Sequence, residues 1–207
     1  MATIKLVADY NREPCTGCKL CDIVCPSGAI RMEARRPVID DAACIGCGRC
    51  VDRCPEEIMW MKPREVPLVA TVTAEEAPAE AVEALLLKAG IDPAISVCVC
   101  TLTSAAEIAR SVVKGAQTLE EVCAMTGMRS GCGIYCVAPA LRLLAAAGRD
   151  MTPPPQHRWY PATLSLYDLS DEVRARYPDA FIDEDRAVFD PQGRYGPLEG
   201  TTSKETV

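Results

Sequence analysis

Apolar residues recur at helical spacing in several separate stretches of the second half of the chain. Between Pro78 and Gly90 the run PAEAVEALLLKAG is rich in helix formers and closes on a glycine, which predicts a helix with a defined stop. Thr103 is a good N-cap for a second helix over residues 104–114. Thr118 caps a third over residues 119–126, with Glu121 three residues on to complete a capping box. An amphipathic helix is expected over residues 137–147, ended by Gly148. The amino-terminal part reads differently: residues 3–8 (TIKLVA) and 37–40 are strand-like. Residues 63–74 mix two prolines with short apolar stretches and read as a linker or a strand-like crossover. Beyond Met151 the chain is Pro-rich, with one short helix expected around residues 170–177, capped by Ser170.

Between these elements lie thirteen cysteines. Cys15, Cys18, Cys21 and Cys25 read C-x2-C-x2-C-x3-C followed by Pro26, and Cys44, Cys47, Cys50 and Cys54 repeat that register before Pro55. A C-x2-C-x2-C turn can wrap three thiolates around three corners of a cube, and soft thiolates suit iron. Gly17, Gly46 and Gly48 permit the tight curl this needs. Structural zinc pairs two C-x2-C units and has no use for a third cysteine and a C-x3-C-P tail. Disulfides are equally ill matched, because neighbouring cysteines in such a turn face one point. In the bacterial two-cluster run the fourth cysteine ligates the other cluster. One [4Fe–4S] site would then take Cys15, Cys18, Cys21 and Cys54, and the other Cys44, Cys47, Cys50 and Cys25.

On these motifs, residues 1–62 resemble the two-cluster ferredoxin family. The resemblance implies a pseudo-twofold α+β domain with two short hairpins and two short helices, residues 31–36 forming the connecting hairpin region. A second set, Cys98, Cys100, Cys132 and Cys136, reads C-x-C-x31-C-x3-C. With the phrases VCVCTLTSAAEIARSVVKGAQTLEEV and TGMRSGCGIYC it resembles the bacterioferritin-associated-ferredoxin-like [2Fe–2S] domain. Founding members of that family space the last pair as C-x2-C, and the x3 here is closer to versions fused to flavin dehydrogenases. The resemblance implies that these four cysteines hold one [2Fe–2S] centre, both pairs lying near helix N-termini whose partial charge favours thiolate. The alternative is that they are buried or metal-free. Cys123, inside an expected helix beside Val122, reads as core packing.

The expected architecture is α+β. It comprises a ferredoxin-like two-cluster domain (1–62), a linker and helix (63–95), a small all-α [2Fe–2S] domain (96–149) and an extended carboxy-terminal segment (150–207). The low aromatic share, 5%, leaves aliphatic side chains, alanine and clusters to fill the interior. Seven of the ten aromatics lie in the last segment: Trp159, Tyr160, Tyr167, Tyr177, Phe181, Phe189 and Tyr195. Disordered tails are poor in aromatics, so this segment is expected to lie on a surface, by preference that of a partner subunit. His157, the sole histidine, reads as a contact or surface residue, since a Rieske-type centre needs two.

A net charge of −7 argues against nucleic acid as the main partner. No basic segment followed by an apolar one opens the chain, and no apolar stretch reaches ~18 residues. Thiolate-rich sites suit a reducing compartment, so a cytoplasmic protein without a transmembrane segment is expected. There is no G-x-G-x-x-G after a strand, no P-loop and no Ser–His–Asp order. No catalytic residue is expected. The reading is an electron-transfer subunit in a stable hetero-oligomer with a flavoprotein dehydrogenase subunit, FAD or another flavin being on the partner. The alternatives are a redox- or iron-responsive docking adaptor and a freely diffusing ferredoxin.

Overall fold

The computed structural model describes residues 2–152 and 169–189. The first part is built as two similar halves. Strand β1 (Ala2–Tyr10) leads through the first cysteine loop to helix α1 (Leu20–Ile23) and strand β2 (Ile30–Glu33). Strand β3 (Arg36–Ile39) leads through the second loop to helix α2 (Arg49–Asp52) and strand β4 (Met59–Ala70). The outer strands β1 and β4 pair antiparallel, as do the inner strands β2 and β3. The strand-like stretches and the hairpin expected from sequence are thus present, the turn falling at Ala34 and Arg35.

β4 runs on through Lys62, the boundary drawn from sequence, as far as Ala70. Of the two readings for residues 63–74, the strand-like one holds to that point. Pro63 and Pro67 are tolerated because a two-stranded ribbon has free edges on both sides. A register shift between Ile4 and Leu6 absorbs the irregularity opposite them.

The chain then passes into helices without a slack segment. Val72 is 1% exposed. The Thr71 hydroxyl donates to the Glu107 carboxylate at 2.7 Å, and Arg110 Nε donates to the Val72 carbonyl at 2.9 Å. Helices α3 (Ala79–Ala89), α4 (Ala105–Lys114), α5 (Leu119–Thr126) and α6 (Val137–Ala146) pack around one aliphatic core. Ile108, Leu119, Met128, Leu141 and Leu143 are fully buried there. Gly90, at φ 65°, ends α3 as expected, because the left-handed conformation costs glycine little.

Three details differ from the sequence reading. The N-cap of α4 is Ser104, whose hydroxyl accepts from the Glu107 N–H, while Thr103 pairs in a short strand. Thr118 does cap α5, but Glu121 reaches back to the Gln117 N–H and not to that of Thr118. The helical unit is also not all-α. Strands β5 (Ser96–Cys98) and β6 (Thr103–Ser104) form a small hairpin that carries Cys98 and Cys100.

Helix α7 (Asp171–Arg176) is the short helix expected near residue 170, and the Ser170 hydroxyl caps it by accepting from the Val173 N–H. A further helix, α8 (Ile182–Phe189), was not anticipated. Arg174 bridges the two by pairing with Asp171 and Asp183. Tyr177 and Phe181 are exposed. Trp159, Tyr160, Tyr167, Tyr195 and His157 lie outside the described residues. Among the described residues, no helix is long and apolar enough to cross a membrane.

Candidate metal centres

The twelve cysteines of the three motifs gather as three sets, and all thirteen in the chain are free thiols. Cys15, Cys18, Cys21 and Cys54 line one small cavity, with Tyr10, Met32 and Ile58 among its other walls. Cys44, Cys47, Cys50 and Cys25 line a second, beside Ile30, Ile45 and Met61. In both cavities the fourth cysteine of one run sits with the first three of the other.

The electrostatics report the same grouping. Burial, with smaller pushes from Cys18 and Cys15, raises the Cys21 thiol to about 11. Burial raises Cys50 to about 12, and the thiols acting on it are Cys47, Cys25 and Cys44. Cys47 is raised by burial too, again with Cys25 and Cys44 as neighbours. Crowded, desolvated thiols cannot all ionise unless a cation compensates them. Among the described residues, no three ligand-type side chains converge as they would on a single ion. Four sulfurs spaced around a cavity suit a polynuclear cluster better than one tetrahedral metal, so the residues fit [4Fe–4S] groups.

The loops are shaped for this. Gly46 has φ 65°, and a Cβ there would approach the Leu6 carbonyl to 2.9 Å. Lys19 and Gly48 occupy equivalent places before α1 and α2, both left-handed, at φ 69° and 74°. Arginines then hold the loop carbonyls from outside. Arg35 donates to the Thr16 carbonyl at 3.1 Å and Arg36 to that of Cys15. Arg64, from β4, donates to the carbonyls of Asp41 (2.7 Å), Leu6 (3.2 Å) and Cys44. Sequence reasoning missed all three. Each partner is a backbone oxygen about twenty or more residues away, so no motif announces it.

The third set lies at one edge of the helical unit. Cys98 and Cys136 are buried, while Cys100 and Cys132 are exposed. Cys136 is the N-cap residue of α6, whereas Cys98 and Cys100 leave the β5–β6 hairpin, so only the second pair abuts a helix start. Burial pushes the Cys98 thiol up. The Thr101 hydroxyl and the backbone N–H groups of Arg129, Thr101 and Cys100 outweigh that, leaving it lowered. Cys132 is lowered chiefly by the N–H groups of Ile134 and Tyr135. Burial, with Cys98 alongside, raises Cys136 to about 12. The Cys132 N–H donates to the Cys100 sulfur at 3.4 Å, and Gly131 is pressed so close that a Cβ would lie 2.7 Å from it. Polar N–H groups aimed at sulfur are what a bound cluster would use. Cys123 is fully buried in the core, its thiol pushed well up by burial, and behaves as a small hydrophobe.

Comparison with known proteins agrees with these motifs. Residues 8–81 match the 4Fe-4S dicluster domain, and residues 96–146 match the BFD-like [2Fe-2S] binding domain. The chain is 42% identical over 48 residues to a subunit of the ion-translocating oxidoreductase complex of Methanosarcina acetivorans, covering 23% of this chain and 18% of that protein. It is 44% identical over 53 residues to a subunit of the Na(+)-translocating ferredoxin:NAD(+) oxidoreductase complex of Acetobacterium woodii, covering 25% and 16%. It is 35% identical over 66 residues to a subunit of the NADH-quinone oxidoreductase of Geobacter metallireducens, covering 27% and 50%. The chain thus spans half or less of the length of these relatives, each of them named for its place in an oxidoreductase. No solved structure matches. The chain joins a dicluster domain to a BFD-like domain, and its relatives are oxidoreductase subunits.

Proposed function

We propose that the chain is an electron-transfer subunit of a multi-subunit oxidoreductase, relaying single electrons between a flavoprotein subunit and an acceptor. Its ferredoxin-like unit would hold one [4Fe–4S] cluster on Cys15, Cys18, Cys21 and Cys54 and another on Cys44, Cys47, Cys50 and Cys25. Cys98, Cys100, Cys132 and Cys136 would hold a [2Fe–2S] centre. When bound, clusters of these kinds take up and release one electron at a time. The observation that carries the reading is the sorting of twelve cysteines into three sets within a single chain.

The protein's own residues govern what such centres experience. Apolar walls such as Ile30 and Met61 keep water from the second cavity, where Cys25, Cys44 and Cys50 are buried. The first set is closer to solvent, with Cys18 exposed. Around the third set stand four exposed apolar residues: Val99 (65%), Leu102 (78%), Ile134 (70%) and Tyr135 (76%). Leu102 also holds a left-handed φ of 56°, a strain commoner at working surfaces than elsewhere. An apolar rim beside two exposed ligands supports docking of the flavoprotein there, FAD or another flavin being carried by that subunit. The segment from residue 150 onward, with its aromatics, is assigned to the same assembly.

Anaerobic purification with iron and sulfide analysis tests the reading. About ten irons per chain are expected, from two four-iron clusters and one two-iron centre. Eight, without a [2Fe–2S] signal in the reduced protein, would overturn the third site. Cys54→Ser should lose the cluster of the first run and Cys25→Ser that of the second. Loss of the variant's own-run cluster would mean that ligation is not crossed. A stable monomer free of flavoprotein would favour a diffusing carrier.

A further inference from the structure

The two cysteine runs are near copies, which makes the places where they differ informative. Gly17 matches Gly46, Lys19 matches Gly48, and the next pair is Leu20 and Arg49. Each opens its four-residue helix, and both line one groove between the dicluster unit and the helical unit. Cys47 lies on one wall of that groove and Cys132 on the other. Leu20 carries no polar group to span it. Arg49 does span it: its Nη2 donates to the Gly131 carbonyl at 2.6 Å, across 82 residues of sequence. The guanidinium also lies over Gly133, where an added Cβ would sit 2.7 Å from its Cζ.

The clamped loop is the one that matters for the third set. Gly131 is tight against Cys100, and the Cys132 N–H reaches the Cys100 sulfur. One side chain, on the residue directly before Cys50, therefore holds the backbone that brings Cys132 and Cys100 together.

We propose that Arg49 is a positioning residue through which the dicluster unit fixes the loop at residues 131–133 and raises the potential of the [2Fe–2S] centre. The inference rests on the ligand assignment proposed above. Reduction adds negative charge to the centre, and a guanidinium held beside its ligands stabilises the reduced form. The equivalent Leu20 offers the loop neither charge nor a side-chain hydrogen bond, so this clamp belongs to the second cysteine run.

Four full-length proteins test this: wild type, Arg49→Gln, Arg49→Lys and Arg53→Gln, each loaded anaerobically. The readouts are an EPR-monitored redox titration and amide hydrogen exchange over residues 129–135. In Arg49→Gln the [2Fe–2S] midpoint should fall and exchange in the loop should quicken by about tenfold or more as local opening becomes easier. Arg49→Lys should restore most of the midpoint but less of the protection, since lysine lacks the planar fork that covers Gly133. Arg53→Gln removes a charge from the same groove without touching the Gly131 carbonyl, and should leave both near wild type. Unchanged exchange and midpoint in Arg49→Gln, or an equal change in Arg53→Gln, would overturn the proposal. A wild type without a [2Fe–2S] signal would instead overturn the ligand assignment, and the exchange data would still judge the clamp.

Discussion

The two units of the chain bury cysteine in different company. In the dicluster unit the thiols are themselves the core: Cys25, Cys44 and Cys50 pack with Val7, Ala29, Ile30 and Met59 around two cavities. The helices there are four residues long, far too short to persist on their own. In the helical unit Ile108, Val112, Leu119, Val122, Leu141 and Leu143 make a core with no exposure. Each such side chain contributes roughly 1.5–3 kcal/mol of burial. Of its ligand-type cysteines, Cys98 and Cys136 border that core while Cys100 and Cys132 sit exposed at its edge, and Cys123 inside is merely apolar filling. Metal is expected to hold the first unit together and to be an addition to the second.

Removing the iron is the strongest test of that contrast. Chelation should abolish amide protection across β1–β4, because ligation and folding are one process in such a unit. Helices α3–α6 should keep their circular dichroism and much of their protection. An apo-protein still protected over residues 20–54 would break the comparison.

A single core truncation tests it from the other side. Leu141→Ala should cost the helical unit about 2–5 kcal/mol by transfer and cavity terms. The denaturant midpoint of its helical signal should move down while cluster absorbance of the dicluster unit is retained. Simultaneous loss of both signals at the lower midpoint would show one cooperative body. The mildest perturbation is Thr118→Ala, which removes the hydroxyl that accepts from the Glu121 N–H. It should cost about 1 kcal/mol, read by the same titration, with no change in cluster content.

What could be read in advance divides along the same line. Cysteine spacing was legible because a short loop with three thiolates at fixed intervals has few ways to fold, and the crossed grouping followed from the repeat. The helices were legible from their caps, Gly90, Thr118 and Ser170 among them. Where a cap was misplaced, two hydroxyls stood side by side, and strand pairing claimed Thr103. The arginines were invisible for a physical reason. Arg35, Arg36, Arg49 and Arg64 donate to carbonyls, and every residue has one, so the sequence carries no complementary mark. Arg142 and Arg149 belong with them, donating to the carbonyls of Ala89 and Val112 at the ends of α3 and α4. The length of β4 was hidden by Pro63 and Pro67, which argue against a strand unless its edges are known to be free.

The join between β4 and the helices bears on how the protein moves. A swinging arm needs a segment with slack, such as a run of glycine and serine. Here Thr71 and Val72 are bonded to Glu107 and Arg110 as soon as the strand ends, and Val72 is closed in on all sides. The joint is a weld and not a hinge. On the function proposed above, solvent viscosity should slow the meeting with a partner subunit and leave transfer within the chain untouched. The two units travel, tumble and dock as one object, with the spacing between them set during folding.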